Sequence, residues 1–369
     1  MALNASGVSG VPRYAAALSR ALDGVVRDFP DLEPTLVMTG AGAEAVSPTS
    51  IPVQRVNLLG RRLGPGAARL LLEQALPRTL SADLIHYFDA SGPLVSGGRR
   101  FVLTFHDASV CHPDMSHFSR LQRGYKLRLL PWSLRRAAAT VAVSRFAKDE
   151  AVRHFGADPT TITVVHSGPG MTLEPVASDA APADARPYLL FVGNLTASKN
   201  VPFLVRAFDL AALPVDLILA GRPVEDVATI REAIQQSHAR DRIHIRSMPS
   251  DRELDGLYRG AVALAFPSRY EGFGFPPLEA MARRCPVLMS DVPALQEVSG
   301  GGALVLPLQE DAWAEGIRRV MSDPTFREAL VGRGTQAVAR YSWEATARSV
   351  CEVLLRAGTG PSAKCPSFS

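Results

Sequence analysis

Short apolar runs and longer amphipathic runs take turns along this chain. Ten runs read as strands: LIHYF (84–88), FVLTFH (101–106), TVAVS (140–144), ITVVH (162–166), YLLFVG (188–193), VDLILAG (215–221), IHIRS (243–247), VALAFPS (262–268), PVLMSD (286–291) and ALVLP (303–307). Most are continuous in Val, Ile and Leu. That pattern suits strands covered on both faces of a parallel sheet. Between them lie runs of helical period, among them 11–26, 145–155, 201–211 and 275–284. Such alternation predicts doubly wound α/β architecture.

The period breaks once, over MTLEPVASDAAPADARP (171–187), which reads as a linker. It predicts two Rossmann-like domains, 1–170 and 188–340, facing a central cleft. Ligands in such folds bind at the carboxyl ends of the strands. A helix is expected over 341–357 and a disordered tail over 358–369. With 369 residues, each domain is large enough for its own core.

Composition narrows the class. Hydrophobic residues make up 47% and charged residues 21%, an ordinary globular balance. No apolar run approaches the ~20 residues that span a bilayer, and the start lacks the pattern of a signal peptide. The expected location is cytoplasmic, at most peripheral at the inner face of the plasma membrane. Cys111, Cys285, Cys351 and Cys365 form no C-x-x-C and read as reduced thiols.

Charge is uneven. Residues 1–170 carry 19 Lys/Arg against 13 Asp/Glu, and residues 171–369 carry 21 against 23. Residues 115–148 hold eight basic side chains and no acidic one. Two readings stay open for this stretch: a helix with a solvated basic face and a core-packed apolar side, or a surface that meets anionic lipid or an anionic acceptor. No nucleic-acid partner is expected.

The candidate chemistry starts at E-G-F-G-F-P-P-L-E (271–279). A strand-like run precedes it and a helix begins inside it, with Pro276 or Pro277 suited to the first helical position. Gly272 and Gly274 permit close backbone approach to a ligand, and free amides at a helix start attract phosphate. Glu271 and Glu279 flank this anion site and suit the hydroxyls of a nucleotide sugar, hexose at one end and ribose at the other. The competing reading is a surface charge at Glu271 and a helix-dipole partner at Glu279, in the first helical turn.

Other strand ends point the same way. VGNLTASKN (192–200) places Lys199 at the start of a helix, suited to neutralising a diphosphate. LAGRP (219–223) sets Arg222 after another strand as a second phosphate contact. SGVSGVPRY (6–14) puts Gly7 and Gly10 before a helix. LTFHD (103–107) ends a strand with His106, suited to donating to a sugar hydroxyl, and Asp107. Cys111, His112, Asp114 and His117 follow, but their spacing matches no common zinc pattern, so no metal is expected.

Taken together, these stretches resemble glycosyltransferase family 4, retaining enzymes of the GT-B fold. The resemblance runs through SGVSGVPRY, TFHD, AVSRFAKDEAVRHFG (142–156), VGNLTASKNVPFLVRAF (192–208), YEGFGFPPLEAMA (270–282), PVLMSDVPALQEVSGGGALVLP (286–307) and YSWEATA (341–347). Within the family it is similar to bacterial mannosyl- and rhamnosyltransferases of cell-surface polysaccharides.

The resemblance implies a metal-independent hexosyltransferase that needs no cofactor beyond its nucleoside-diphosphate sugar, mannose or a related hexose carried as GDP-mannose being the implied donor. The implied acceptor is a saccharide or a lipid-linked saccharide. It implies that Glu271 binds the transferred sugar, with the backbone of Gly272, Phe273, Gly274 and Phe275 nearby, and that Glu279 binds the ribose. Lys199 would hold the phosphates and His106 would contact the sugar. Gly10 would lie near both the phosphates and the acceptor, Asn194 and Arg222 would contact the donor, Gly7 and Asp107 would line the acceptor side, and YSWEATA would open a helix that packs back across the cleft. Front-face displacement is the implied chemistry, with no D-x-D metal motif in the sequence.

The chain departs from the family pattern in four places. It begins MALNAS, where relatives carry a longer strand; Asn194 replaces an Arg; His166-Ser167-Gly168 replaces Asn-Gly; and Arg283-Arg284-Cys285 follows the glutamate helix. The alternatives are a nucleotide-sugar epimerase on the same fold, a phosphorylase, an inactive scaffold of polysaccharide assembly, and a transferase acting on a small natural product.

Overall fold

The computed structural model describes residues 10–39, 49–56, 80–90, 92–93, 98–115, 118–170, 186–224 and 227–359. Gly7, His117 and Cys365, most of the expected linker and nearly all of the expected tail lie outside these residues.

The N-terminal unit runs α1 (Gly10–Val25), β1 (Leu36–Thr39), β2 (Val53–Val56), β3 (Leu84–Tyr87), β4 (Arg100–Phe105), α2 (Arg120–Arg136), β5 (Ala139–Ala142), α3 (Arg145–Phe155) and β6 (Ile162–Val164). Strands β3-β4-β5-β6 form a parallel sheet in that order, and β1-β2 form a separate parallel pair that the hydrophobic pattern alone did not single out. Tyr14, Ala15, Leu18, Leu22 and Val25 make one buried stripe on α1.

The C-terminal unit runs β7 (Tyr188–Val192), α4 (Val201–Ala211), β8 (Asp216–Gly221), α5 (Val227–Gln236), β9 (Ile243–Ser247), α6 (Asp251–Gly260), β10 (Ala263–Phe266), α7 (Phe275–Ala282), β11 (Val287–Ser290), α8 (Pro293–Ser299), β12 (Leu304–Leu306), α9 (Glu310–Ser322) and α10 (Pro324–Val338). Its six strands are all parallel, in the order β12-β11-β10-β7-β8-β9. Burial follows position in the sheet. Every residue of the central strands β7 and β10 is buried, whereas the edge strand β12 exposes Val305. The order reverses between β7 and β10, the switch point where such sheets take ligands.

A last helix, α11 (Trp343–Thr359), returns to the N-terminal unit and packs on α1 and β3 to β5. It buries Ala347, Val350, Cys351, Val353 and Ala357 in the same cluster as Tyr14 and Phe105. The two units form a GT-B architecture, with the carboxyl ends of their sheets turned toward each other. Among the described residues no helix is long and apolar enough to cross a membrane. Cys111, Cys285 and Cys351 are free thiols.

Candidate active site

Two loops at the switch point carry the central pair. The loop after β7 bears Lys199, and the loop after β10 bears Glu271. The Lys199 ammonium hydrogen-bonds the Glu271 carboxylate, which also accepts the Ser268 hydroxyl at 2.7 Å. The ammonium lies 5.4 Å from the Phe266 ring centre. Asn194, in the same loop as Lys199, has its side-chain oxygen buried and without a hydrogen-bond partner among the described residues. Arg222 is exposed at the end of β8 and forms no ion pair among the described residues. A Cβ on Gly221 would strike the Gly193 carbonyl, so the ends of β7 and β8 meet backbone to backbone.

Glu279 stands differently from the expectation of a first-turn dipole partner. α7 begins at Phe275, so Glu279 lies beyond the first turn. It is 1% exposed and accepts Arg13 at 2.9 Å and the Tyr258 hydroxyl at 2.8 Å. Arg13 also pairs with Asp251 at 2.9 Å. Burial works against the Arg13 charge, but Glu279 and Asp251 outweigh it and raise its pKa. Burial, then Glu279, pushes the Tyr258 hydroxyl well up. Arg13 was not singled out in the sequence, although a cation just inside a glycine-flanked helix start was the available signal.

Gly272 and Gly274 have distinct duties. Gly274 caps α7 with φ 103°, a conformation that favours glycine. Gly272 lies against the opposite domain: a Cβ there would overlap the His106 carbonyl and crowd Asp107. The Ser144 hydroxyl donates to the Gly272 carbonyl at 2.6 Å while accepting the Ala147 amide as cap of α3. Phe273 and Phe275 pack edge to face at 5.2 Å, and Phe275 stacks on Trp343 at 6.3 Å. Trp343 meets Tyr14 at 5.6 Å, and Tyr14 meets His106 at 4.8 Å. Gly10 lies within 3.9 Å of the Phe275 ring, measured from where a Cβ would stand.

His106 is reassigned by its geometry. Its Nε2 donates to the Phe88 carbonyl at 2.9 Å, and burial lowers its pKa, against the opposing pull of that bond, Asp107 and Asp89. A neutral ring in this tautomer has only Nδ1 left, which accepts rather than donates. Asp107 accepts the Ser109 amide at 2.8 Å.

Two departures from the family pattern acquire roles. His166 bonds Glu297 at 2.7 Å, and Glu297 also accepts the Arg145 and Phe146 amides at 2.8 and 3.1 Å, so α8 caps α3 across the domain boundary. Burial raises the Glu297 carboxyl, but these bonds prevail and hold it below its usual range. A Cβ on Gly168 would collide with Trp343. Arg283 is fully buried, pairs with Asp255 at 2.6 Å and binds the Glu279 carbonyl at 3.2 Å. His112 gathers not with Cys111 or Asp114 but with Glu150 and His154.

Residues 8–168 match the family profile described as Glycosyltransferase Family 4, and residues 177–337 match that described as Glycosyl transferases group 1. O-antigen chain mannosyltransferase B of Escherichia coli is 30% identical over 265 residues, covering 66% of this chain and 67% of the relative. This chain is a GT-B glycosyltransferase. The glycosyltransferase is also 28% identical to O-antigen chain mannosyltransferase RfbU of Salmonella typhimurium, over 67% of each chain. Its fold matches the Anabaena HepE structure, solved in complex with UDP and glucose, at a TM-score of 0.69 and 18% identity, covering 92% of this chain and 95% of that one.

Proposed function

We propose that this glycosyltransferase moves a hexose from a nucleoside-diphosphate sugar to a hydroxyl of a saccharide or lipid-linked saccharide, with retained anomeric configuration. The observation that carries the proposal is the Lys199–Glu271 pair at the switch point of the six-stranded sheet. A carboxylate occupies the place beside Lys199 that a diphosphate would take. Donor entry exchanges partners: the phosphates take Lys199, and Glu271 turns to the hexose hydroxyls. Arg13 and Glu279 undergo the same exchange, with Glu279 released to the ribose. In both steps the released carboxylate exchanges an ionic partner for hydroxyl donors and so stays hydrogen-bonded, as a buried charge requires.

The amides of Gly272 to Phe275 at the start of α7 join Lys199 in stabilising charge that builds on the diphosphate. The leaving phosphate helps to deprotonate the acceptor, so Lys199 serves the transition state more than the ground state. Asn194 and Arg222 add polar contacts to the donor, His106 accepts a sugar hydroxyl at Nδ1, and Gly10 and Asp107 border the acceptor. The two relatives named as mannosyltransferases favour mannose as the transferred hexose, and GDP-mannose is the donor we put forward for it.

The basic stretch supports a lipid-linked acceptor. Helix α2 buries Leu129, Leu130 and Leu134 toward its end but leaves Leu121 87% exposed near its start. The two readings of that stretch thus divide along one helix. A depression of about 360 Å³ lined by Leu121, Tyr125, Arg128, Leu129 and Trp132 lies there. We assign it to an anionic membrane surface or the lipid part of the acceptor.

A thermal-shift panel of GDP, UDP, ADP and dTDP tests the donor, and NMR of the glycoside formed from the stabilising series reads the anomeric outcome. Stabilisation by none of the four overturns the function, and an inverted product overturns retention. Turnover is expected without added Mg²⁺ or Mn²⁺; a strict requirement for either overturns the ion-free diphosphate.

A further inference from the structure

Glu150 and His154 are one helical turn apart on α3, so their side chains share a face. His112, from the segment after β4, approaches the same face. His154 Nε2 lies 3.3 Å and His112 Nε2 3.7 Å from the same carboxylate oxygen, Oε2. All three ligand atoms fall within 4.8 Å of one another. His112 Nε2 is buried and has no hydrogen-bond partner among the described residues. The other carboxylate oxygen, Oε1, is held by Arg153 at 2.9 Å. Glu150 itself is 3% exposed.

Simple ion pairing accounts poorly for this arrangement. Two imidazoles converge on one oxygen at separations too long for good hydrogen bonds. Those separations fit ligands sharing a cation: bonds of about 2.1 Å in a tetrahedron hold ligand atoms about 3.4 Å apart. Two nitrogens and one carboxylate suit Zn²⁺ and its neighbours, with a fourth position open to water.

We propose that His112, Glu150 and His154 form a binding site for a divalent transition metal, of which Zn²⁺ is the best-matched member. The site is separate from the donor pocket, so a diphosphate that needs no metal ion is compatible with it. Its effect reaches that pocket through Tyr270. The Tyr270 ring lies 4.8 Å from the His112 ring, and its hydroxyl accepts the Ala108 amide at 2.8 Å and donates to Glu150 Oε2 at 3.4 Å. Tyr270 directly precedes Glu271. A bound ion fixes the carboxylate that Tyr270 leans on, and so ties the Glu271 loop to the N-terminal domain.

The test titrates the full-length protein, first dialysed against chelator, with Co²⁺ alone. The readouts are calorimetry and the visible d–d absorption of a four- or five-coordinate site. One equivalent is expected to bind and to be displaced by Zn²⁺. Loss of an orienting partner alone weakens metal sites about 10- to 100-fold, so His154→Ala and His112→Ala should weaken binding at least tenfold. Absence of binding by the unmutated chain, or undiminished binding by both folded variants, overturns the site. Should a variant fail to fold, anomalous scattering from Zn²⁺-soaked crystals of the unmutated chain decides. An ion bonded to all three residues supports the assignment, and an ion elsewhere or none overturns it.

Discussion

Lys199 and Glu271 illustrate how single residues carry two duties. Each neutralises the other, and in the proposed mechanism each takes a different partner once a donor enters. Lys199→Ala should therefore lower kcat by about 2–4 kcal/mol of transition-state stabilisation, roughly 30- to 1,000-fold. Wild-type turnover in steady-state assays of that variant would remove Lys199 from the mechanism. Gly272 was legible as a glycine that admits something closely, but the sequence suggested a ligand and the structure supplies the His106 carbonyl. Gly272→Ala is expected to cost about 1–3 kcal/mol of closure through overpacking. The measurable signs are a fall in kcat/KM and a larger radius of gyration in solution scattering, with the far-UV spectrum unchanged. His86 provides a pH response. Burial lowers its pKa from 6.5 to about 3, with His106 adding to the effect, and its Nε2 meets Thr104 at 2.9 Å. Between those values only the unfolded chain takes the proton, so stability falls as pH drops through that window. Chemical denaturation at stepped pH should show a shallower acid slope for His86→Gln, and an identical slope would refute this origin.

At the scale of elements, the strands were the most legible part of the chain. All ten apolar runs begin or end within two residues of a strand because burial on both faces leaves little room for polar punctuation. β1 and β2 escaped notice because their four-residue pairs lie in a polar, proline-containing setting. The trans-domain cap was not legible for another reason. Glu297 is 152 residues from the amide it receives at Arg145, and no local pattern announces such a partner. Removing it leaves two helix-start amides and His166 without an acceptor. Glu297→Ala should destabilise the protein by about 1–3 kcal/mol, read as a lower guanidinium midpoint. An unchanged midpoint would show that water replaces the carboxylate without loss.

At the scale of the molecule, the order β12-β11-β10-β7-β8-β9 matters more than any single motif. It brings the Lys199 and Glu271 loops side by side although 72 residues separate them. Sequence spacing alone pointed to both residues and to the two-domain plan, but it could not bring them together. Nor could it reveal Arg13, whose partners Asp251 and Glu279 belong to the other half of the chain. Helix α11 extends the same interdependence in time. The hydrophobic cluster of the N-terminal unit contains Ala347, Val350 and Val353. During synthesis that unit leaves the ribosome first yet lacks one wall of its interior. It must wait, with the α1 stripe and the β3 to β5 surface partly open to water, while the whole second domain is made. The last helix thus acts as a closing signal for biosynthesis: the first half of the protein reaches its final stability only after nearly all of the second half exists.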